Sequence, residues 1–372
     1  MSENEQPWYQ IEEIDKLDSP ALVIYIQRVR ENIQNLIDGI GDLSRLRPHV
    51  KTHKSTAVTK LLLNAGITKY KCATIAEAEM LAMCKAEDVL LAYQPCGPKL
   101  ERFIVLQQQY PSTKFSCLID DGAVAEETSA IAKKNNTVIS VYVDLNVGMN
   151  RTGIEPENAV ILCEQIAGLP HLKFVGLHAY DGHIDDINMD MRTLRCNEVY
   201  DRVITLKKKM EQKGFNELIL VMGGSPSYPI YSQFNDVICS PGTFVFWDQN
   251  YQKGLPEQDF KPAALIIGRI ISAPSATILT VDVGHKAISS EYGLAHRIHF
   301  LNAPDLKVIG HSEEHLVLEA PKNNFYKIGE VLYGLPYHIC PSCALHKYAN
   351  IVENHHLIGQ WAIEARDRIL TI

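Results

Sequence analysis

No apolar run in this chain approaches the ~20 residues that a membrane-crossing helix needs. No long block of Lys and Arg stands out: 36 basic residues are outnumbered by 44 Asp and Glu, for a net charge of −8 at pH 7. A mildly acidic chain without a basic patch is a poor match for nucleic acid or an anionic membrane surface, and neither is expected as a partner. The opening residues, MSENEQPWYQIEEIDKL, are acidic and polar and lack the basic and apolar blocks of a targeting peptide. Solenoid-type repeats and low-complexity tracts are also missing. The nine cysteines are odd in number and scattered through strand-like runs such as KYKCATI, KFSCLID and DVICSPG. That pattern argues against a disulfide framework and fits buried thiols of a cytoplasmic protein.

What is there is ordinary in bulk and patterned in detail. At 372 residues, 46% hydrophobic and 22% charged, the chain has the size of about two globular domains. From residue 45 to 245, eight strand-like runs alternate with amphipathic segments: RLRPHV, KYKCATI, DVLLAY, KFSCLID, VISVYVDLN, LKFVGLHAY, LILVMGG and DVICSPG. Strands alternating with helices mean βαβ units and a parallel sheet. Eight of them in about 200 residues is the count of a (β/α)8 TIM-like barrel. An open doubly wound sheet is the runner-up, but no GxGxxG follows the first run. After residue 258, short β-rich runs separated by Pro, Gly, Asn and His replace the helical periodicity. The expectation is a barrel over 20–257 followed by a mostly antiparallel β domain over 258–372, with residues 1–19 packing on the latter. The ALVIYI strand near the N-terminus fits either domain.

Parallel barrels bind ligands on the loops after their strands. The first run ends in Arg47-Pro48-His49-Val50-Lys51-Thr52-His53-Lys54, readable as a solvated basic loop or as Lys51 pointing into the barrel mouth, where loss of water makes its amine a usable nucleophile. The fifth ends in a Gly-rich turn carrying Arg151, and the sixth in His178-Ala179-Tyr180-Asp181-Gly182-His183. The seventh and eighth end in Gly223-Gly224-Ser225-Pro226-Ser227 and Ser240-Pro241-Gly242-Thr243. Each of these two loops alone is a tight turn; together, after strands seven and eight, they suit a phosphate.

RPHVKTHK, VDLNVGMNRTG, GGSPS, SPGT and a late H-x-C, in this order, resemble the D-threonine aldolase and D-serine dehydratase family of alanine-racemase-like pyridoxal-phosphate enzymes. The resemblance spans nearly the whole chain. It implies that Lys51 holds pyridoxal phosphate as an internal aldimine, that Arg151 faces the pyridine nitrogen and that Tyr180 lines the cofactor. It also implies a phosphate cradle of Gly223, Gly224, Ser225, Gly242 and Thr243, and a divalent metal on His338 and Cys340. The family often has a tyrosine after its Pro-Gly-Ser/Thr turn, where this chain has Phe244. A guanidinium only donates hydrogen bonds, so an arginine at the ring nitrogen leaves that nitrogen unprotonated and the ring a weaker electron sink. A metal on the substrate hydroxyl then supplies the missing help.

His338-Ile-Cys340-Pro-Ser-Cys343-Ala-Leu-His346 is open to several readings. On an extended segment His338 and Cys340 share a face and reach one ion, Zn²⁺ first and Mn²⁺ second. All four residues as a closed zinc site, a Cys340/Cys343 redox pair, and plain buried thiols are the rivals. The implied activity is a lyase on D-configured β-hydroxy amino acids, its substrate a small D-amino acid. Aldolases of the family tend to carry an acid where Cys340 stands, so dehydration is expected over retro-aldol cleavage. A racemase and a non-catalytic cofactor carrier are the alternatives from other classes. A homodimer is expected by analogy. His49, His178, His183, Cys343 and His346 have no assigned role.

Overall fold

The computed structural model describes residues 6–372. Its contacts divide it into two units. One combines the segment ending at Asn35 with Thr52–Ala57 and Thr243–Arg366, and the other combines Leu36–Lys51, Val58–Gly242 and Asp367–Ile372.

The first strand is β1 (Ala21–Tyr25). The second unit carries β2 (Lys69–Cys72), β3 (Asp88–Leu91), β4 (Lys114–Ile119), β5 (Ile139–Leu145), β6 (Leu172–Ala179), β7 (Ile219–Met222) and β8 (Val237–Cys239), each paired in parallel with the next. Helices lie between them, started by side chains that the sequence supplies at the right place. Thr74 accepts from the Glu77 N–H, Asp121 from that of Val124 and Asn188 from that of Met191. The expected first strand, RLRPHV, forms no regular strand. Leu46 bridges to Cys239 and His49 to Lys71, both in parallel. The backbone alternates sides: Arg47 N–H donates to Cys239 at 2.9 Å, and Val50 N–H donates to Lys71 at 2.9 Å. Segment 46–50 thus lies between β8 and β2 as the eighth stave of the barrel. Pro48 has no N–H, which interrupts the ladder.

The other unit is the mostly antiparallel β domain. It contains β9 (Ala264–Ser275), β10 (Ile278–Val281), β11 (Ile298–Phe300), β12 (Lys307–His311), β13 (Leu316–Glu319), β14 (Val331–Pro336), β15 (Tyr348–Glu353) and β16 (His356–Ala362), in the order β12-β13-β10-β9-β1-β15-β16, with β14 pairing β9 and β11. Here the expected boundaries need correction. β1 does not open the barrel: it pairs antiparallel with β9 and parallel with β15. All five of its residues are buried, and a wholly apolar strand reads the same in either sheet. Residues 243–257 also belong to this unit rather than to the barrel, anchored by Phe244 and Trp247 against Phe260 at 5.8 and 5.1 Å between ring centroids. Ile11 and Leu17 join its core with Val23, Leu265, Ile267 and Leu335. Residues 1–5 of the segment expected to pack here lie outside the described residues. At the other end, Asp367–Ile372 returns to the barrel unit, where Arg102 donates to the Ile372 carbonyl at 2.7 Å. No helix among the described residues is long and apolar enough to cross a membrane.

Candidate active site

The barrel unit opens a pocket of about 260 Å³ lined by His49, Lys51, Lys71, Tyr93, Asp144, Arg151, His178 and Tyr180, among others. Lys51 ends the closing stave, and its backbone N–H donates to His49 Nδ1 at 3.3 Å. The loop after β5 presents Arg151. Within it, Asn146 Oδ1 accepts from the N–H groups of Gly148 and Asn150, each at 3.1 Å, and the Gly153 N–H is held by Asp120 at 2.7 Å. His183 fills the space beside Gly148, where a Cβ would meet its Nε2 at 2.7 Å.

Tyr180 is the centre of the cluster. The Lys51 Nζ, Lys71 Nζ and Arg151 Cζ lie 5.6, 5.4 and 4.9 Å from its ring centroid. The buried amine of the pocket is Lys71, which sequence reasoning passed over. Burial, aided by repulsion from Lys51, pulls its pKa down to about 7. Its Nζ lies 3.5 Å from His178 Nε2, and His178 Nδ1 lies 2.7 Å from Asp144 Oδ1. Burial also lowers the His178 pKa despite Asp144, so the neutral ring donates from Nδ1 and accepts at Nε2.

The Gly-rich loops form one cradle. Ser227 Oγ accepts from the Gly224 N–H at 3.1 Å and donates to Asp181 at 2.9 Å. Burial raises the pKa of Asp181, while Tyr231 and Ser227 counter it with hydrogen bonds. The Gly242 N–H reaches Ser225 Oγ at 3.4 Å, joining the two loops. A Cβ at Gly224 would meet Tyr180 Cε2 at 3.0 Å, and one at Gly242 would meet the His49 carbonyl at 2.9 Å. The cradle therefore abuts two residues of the pocket wall. Ser240 Oγ is buried there without a hydrogen-bond partner, a donor in want of an acceptor. The fifth expected member, Thr243, falls in the β unit, its Oγ1 3.6 Å from Cys340 Sγ.

In that β unit, His338 and Cys340 do not sit on an extended segment as the spacing suggested. His338 caps the helix Ile339–Leu345, so Cys340 lies in its first turn. The two side chains nevertheless hydrogen-bond, and His338 is raised to about 9, its burial outweighed by Cys340, Asp248 and Glu291. Its Nδ1 is braced by Glu291 at 2.6 Å, a carboxylate that orients the ring. Cys340 Sγ lies 3.1 Å from the hydroxyl of Thr52, the residue that follows Lys51 in the chain. The four-residue zinc site is not formed. Cys343 turns to the His53 carbonyl at 3.9 Å, and His346 Nε2 donates to the Ala287 carbonyl at 2.8 Å. Among the described residues no group of three or more His, Cys, Asp or Glu could hold a metal. A Cys340/Cys343 redox pair needs a helix N-terminus to lower a thiol pKa. That helix exists, with Cys340 in its first turn, and burial pushes the Cys343 thiol behind it up to about 12.

Two family matches divide the chain: residues 24–249 match the alanine racemase N-terminal domain, and residues 263–352 match a domain described as putative serine dehydratase. A 3-hydroxy-D-aspartate aldolase of Paracoccus denitrificans is 27% identical, over 95% of this chain and 93% of that protein. A D-serine dehydratase of Dictyostelium discoideum is 22% identical, over 93% and 96%. The crystal structure of D-threonine aldolase from Filomicrobium marinum is 25% identical with a TM-score of 0.87, over 95% and 96% of the two chains.

Proposed function

We propose, for a chain that belongs to the alanine racemase N-terminal domain family, the activity of a pyridoxal-phosphate-dependent lyase on D-configured β-hydroxy amino acids, dehydrating rather than cleaving them. The observation that carries it is the Lys51, Arg151 and Tyr180 cluster walled by a glycine cradle with an unpartnered serine hydroxyl, Ser240. That donor set fits the cofactor: an amine for its aldehyde, a ring for its ring, and hydroxyls and N–H groups for its phosphate. When bound, pyridoxal phosphate supplies an electron sink for charge developing at the substrate Cα.

The protein's own groups do the rest. Lys51 would hold the cofactor through Nζ, and the same amine, when free, is the base placed to take the α-proton. Arg151 would donate to the cofactor ring and Tyr180 would line it. Gly224, Ser225, Gly242 and Ser240 would hold the phosphate. His338 Nε2 and Cys340 Sγ are the donors for a divalent ion of the Zn²⁺ class, whose chemistry is to polarise the β-hydroxyl. That pair favours a lyase over a racemase, which has no use for a metal. Relatives named aldolase and dehydratase both cover this chain. The choice of dehydration rests on Cys340, where the resemblance puts an acid in aldolases.

The test is product identification after incubation with D-threonine, pyridoxal phosphate and Zn²⁺ or Mn²⁺. 2-Oxobutanoate with ammonia is expected. Glycine with acetaldehyde would make the enzyme an aldolase instead, and neither product from a cofactor-loaded protein would sink the lyase.

A further inference from the structure

The pocket holds one more amine than its proposed chemistry uses. Lys71 is 2% exposed, on β2, yet its Nζ faces the pocket beside the same Tyr180 ring that Lys51 approaches. An ordinary buried lysine is paired with a carboxylate. Here the hydrogen-bond partner is the neutral ring of His178, and the carboxylate that acts most on the amine, Asp144, is already engaged by that ring at 2.7 Å.

We propose that Lys71, held by the Asp144–His178 pair, is a positioning residue whose charge sets the protonation of the linkage between Lys51 and the cofactor. The inference rests on the cofactor reading above and deepens it. The groups acting on Lys71 come from every side: Lys51 on the closing stave, Arg151 after β5, Asp144 on β5, and His178 and Asp181 on and after β6. Lys51 and Arg151 push its proton off, and the two carboxylates hold it on. The balance, with burial, brings Lys71 to about 7. Around neutrality, then, this amine gains or loses its charge beside the linkage, and a neighbouring cation disfavours a protonated nitrogen. His178 keeps the amine in place by accepting at Nε2, and Asp144 fixes the tautomer that allows it.

The experiment is a pH titration of the visible absorbance of the holoenzyme, in the wild type, Lys71→Met and Lys71→Arg. Removing the charge should move the midpoint of the band upward by about 1–3 pH units. Arginine, always charged, should hold it at or below the wild-type value. Midpoints that coincide in all three would overturn the proposal while leaving the cofactor reading intact. No band in any of them would sink both. Should the methionine variant not fold, competitive acylation of the wild-type apoprotein, read by mass spectrometry, decides the matter. Lys71 should label with a midpoint near 7, and one near the ~10.4 of an exposed lysine would overturn the proposal.

Discussion

Gly242 touches the backbone of the closing stave, and this gives a sharp prediction at the scale of single residues. A methyl group there would stand 2.9 Å from the His49 carbonyl, an atom that cannot swing aside. Gly242→Ala should lose cofactor retention at least tenfold and cost about 1–3 kcal/mol of stability, read from visible absorbance and denaturant unfolding. Lys71 gives a second. Its folded pKa of about 7 lies below the ~10.4 of an unfolded lysine. Between those values the unfolded chain binds a proton that the folded one lacks, so this group makes stability rise with pH from about 7 to about 10.4. Lys71→Met should lose that rise, seen as a flatter difference between urea midpoints at the two ends of the window. Lys51, Arg151, Tyr180 and the glycines were legible because each stands at the end of an apolar run, where a barrel puts its ligand. Lys71 was not, because it sits inside a run, and one polar residue in a strand looks like an outward-facing one until the partner strands are known.

Among the elements, the stave at 46–50 and the helix at 339–345 departed most from expectation, each for a local reason. Pro48 denies the stave a donor, and closure is secured instead by Arg47, fully buried and bonded to Asp88 at 2.7 and 3.0 Å. Arg47→Met leaves a half-buried carboxylate without its partner and should cost about 2–4 kcal/mol in urea unfolding, less than a fully buried pair because Asp88 meets water. The helix went unseen because seven residues beginning at a proline-containing turn are too few for a helical period to register. It brings Cys340 to His338 by turning the chain rather than extending it. Cys340→Ala should therefore reduce bound zinc at least tenfold by metal analysis, with the visible absorbance of the cofactor unchanged, since Lys51 and the cradle belong to the other unit.

At the scale of the molecule, the two architectures were readable from periodicity, but their boundaries were not. An apolar strand such as β1 is equally at home in either sheet, and its partners, β9 and β15, lie some 240 and 330 positions away in the sequence. The chain passes from one unit to the other five times, at residues 35/36, 51/52, 57/58, 242/243 and 366/367. Two of those passages follow Lys51 and Gly242 directly. This weave has a consequence for how the protein is made. On the ribosome, β1 is made some 330 residues before its neighbour Asn350–Val352. Until then an apolar strand edge waits unpaired, so this sheet is completed only after β15 has been made, and not when either half appears. A nascent chain stalled at residue 257 should stay protease-sensitive and depend on chaperones.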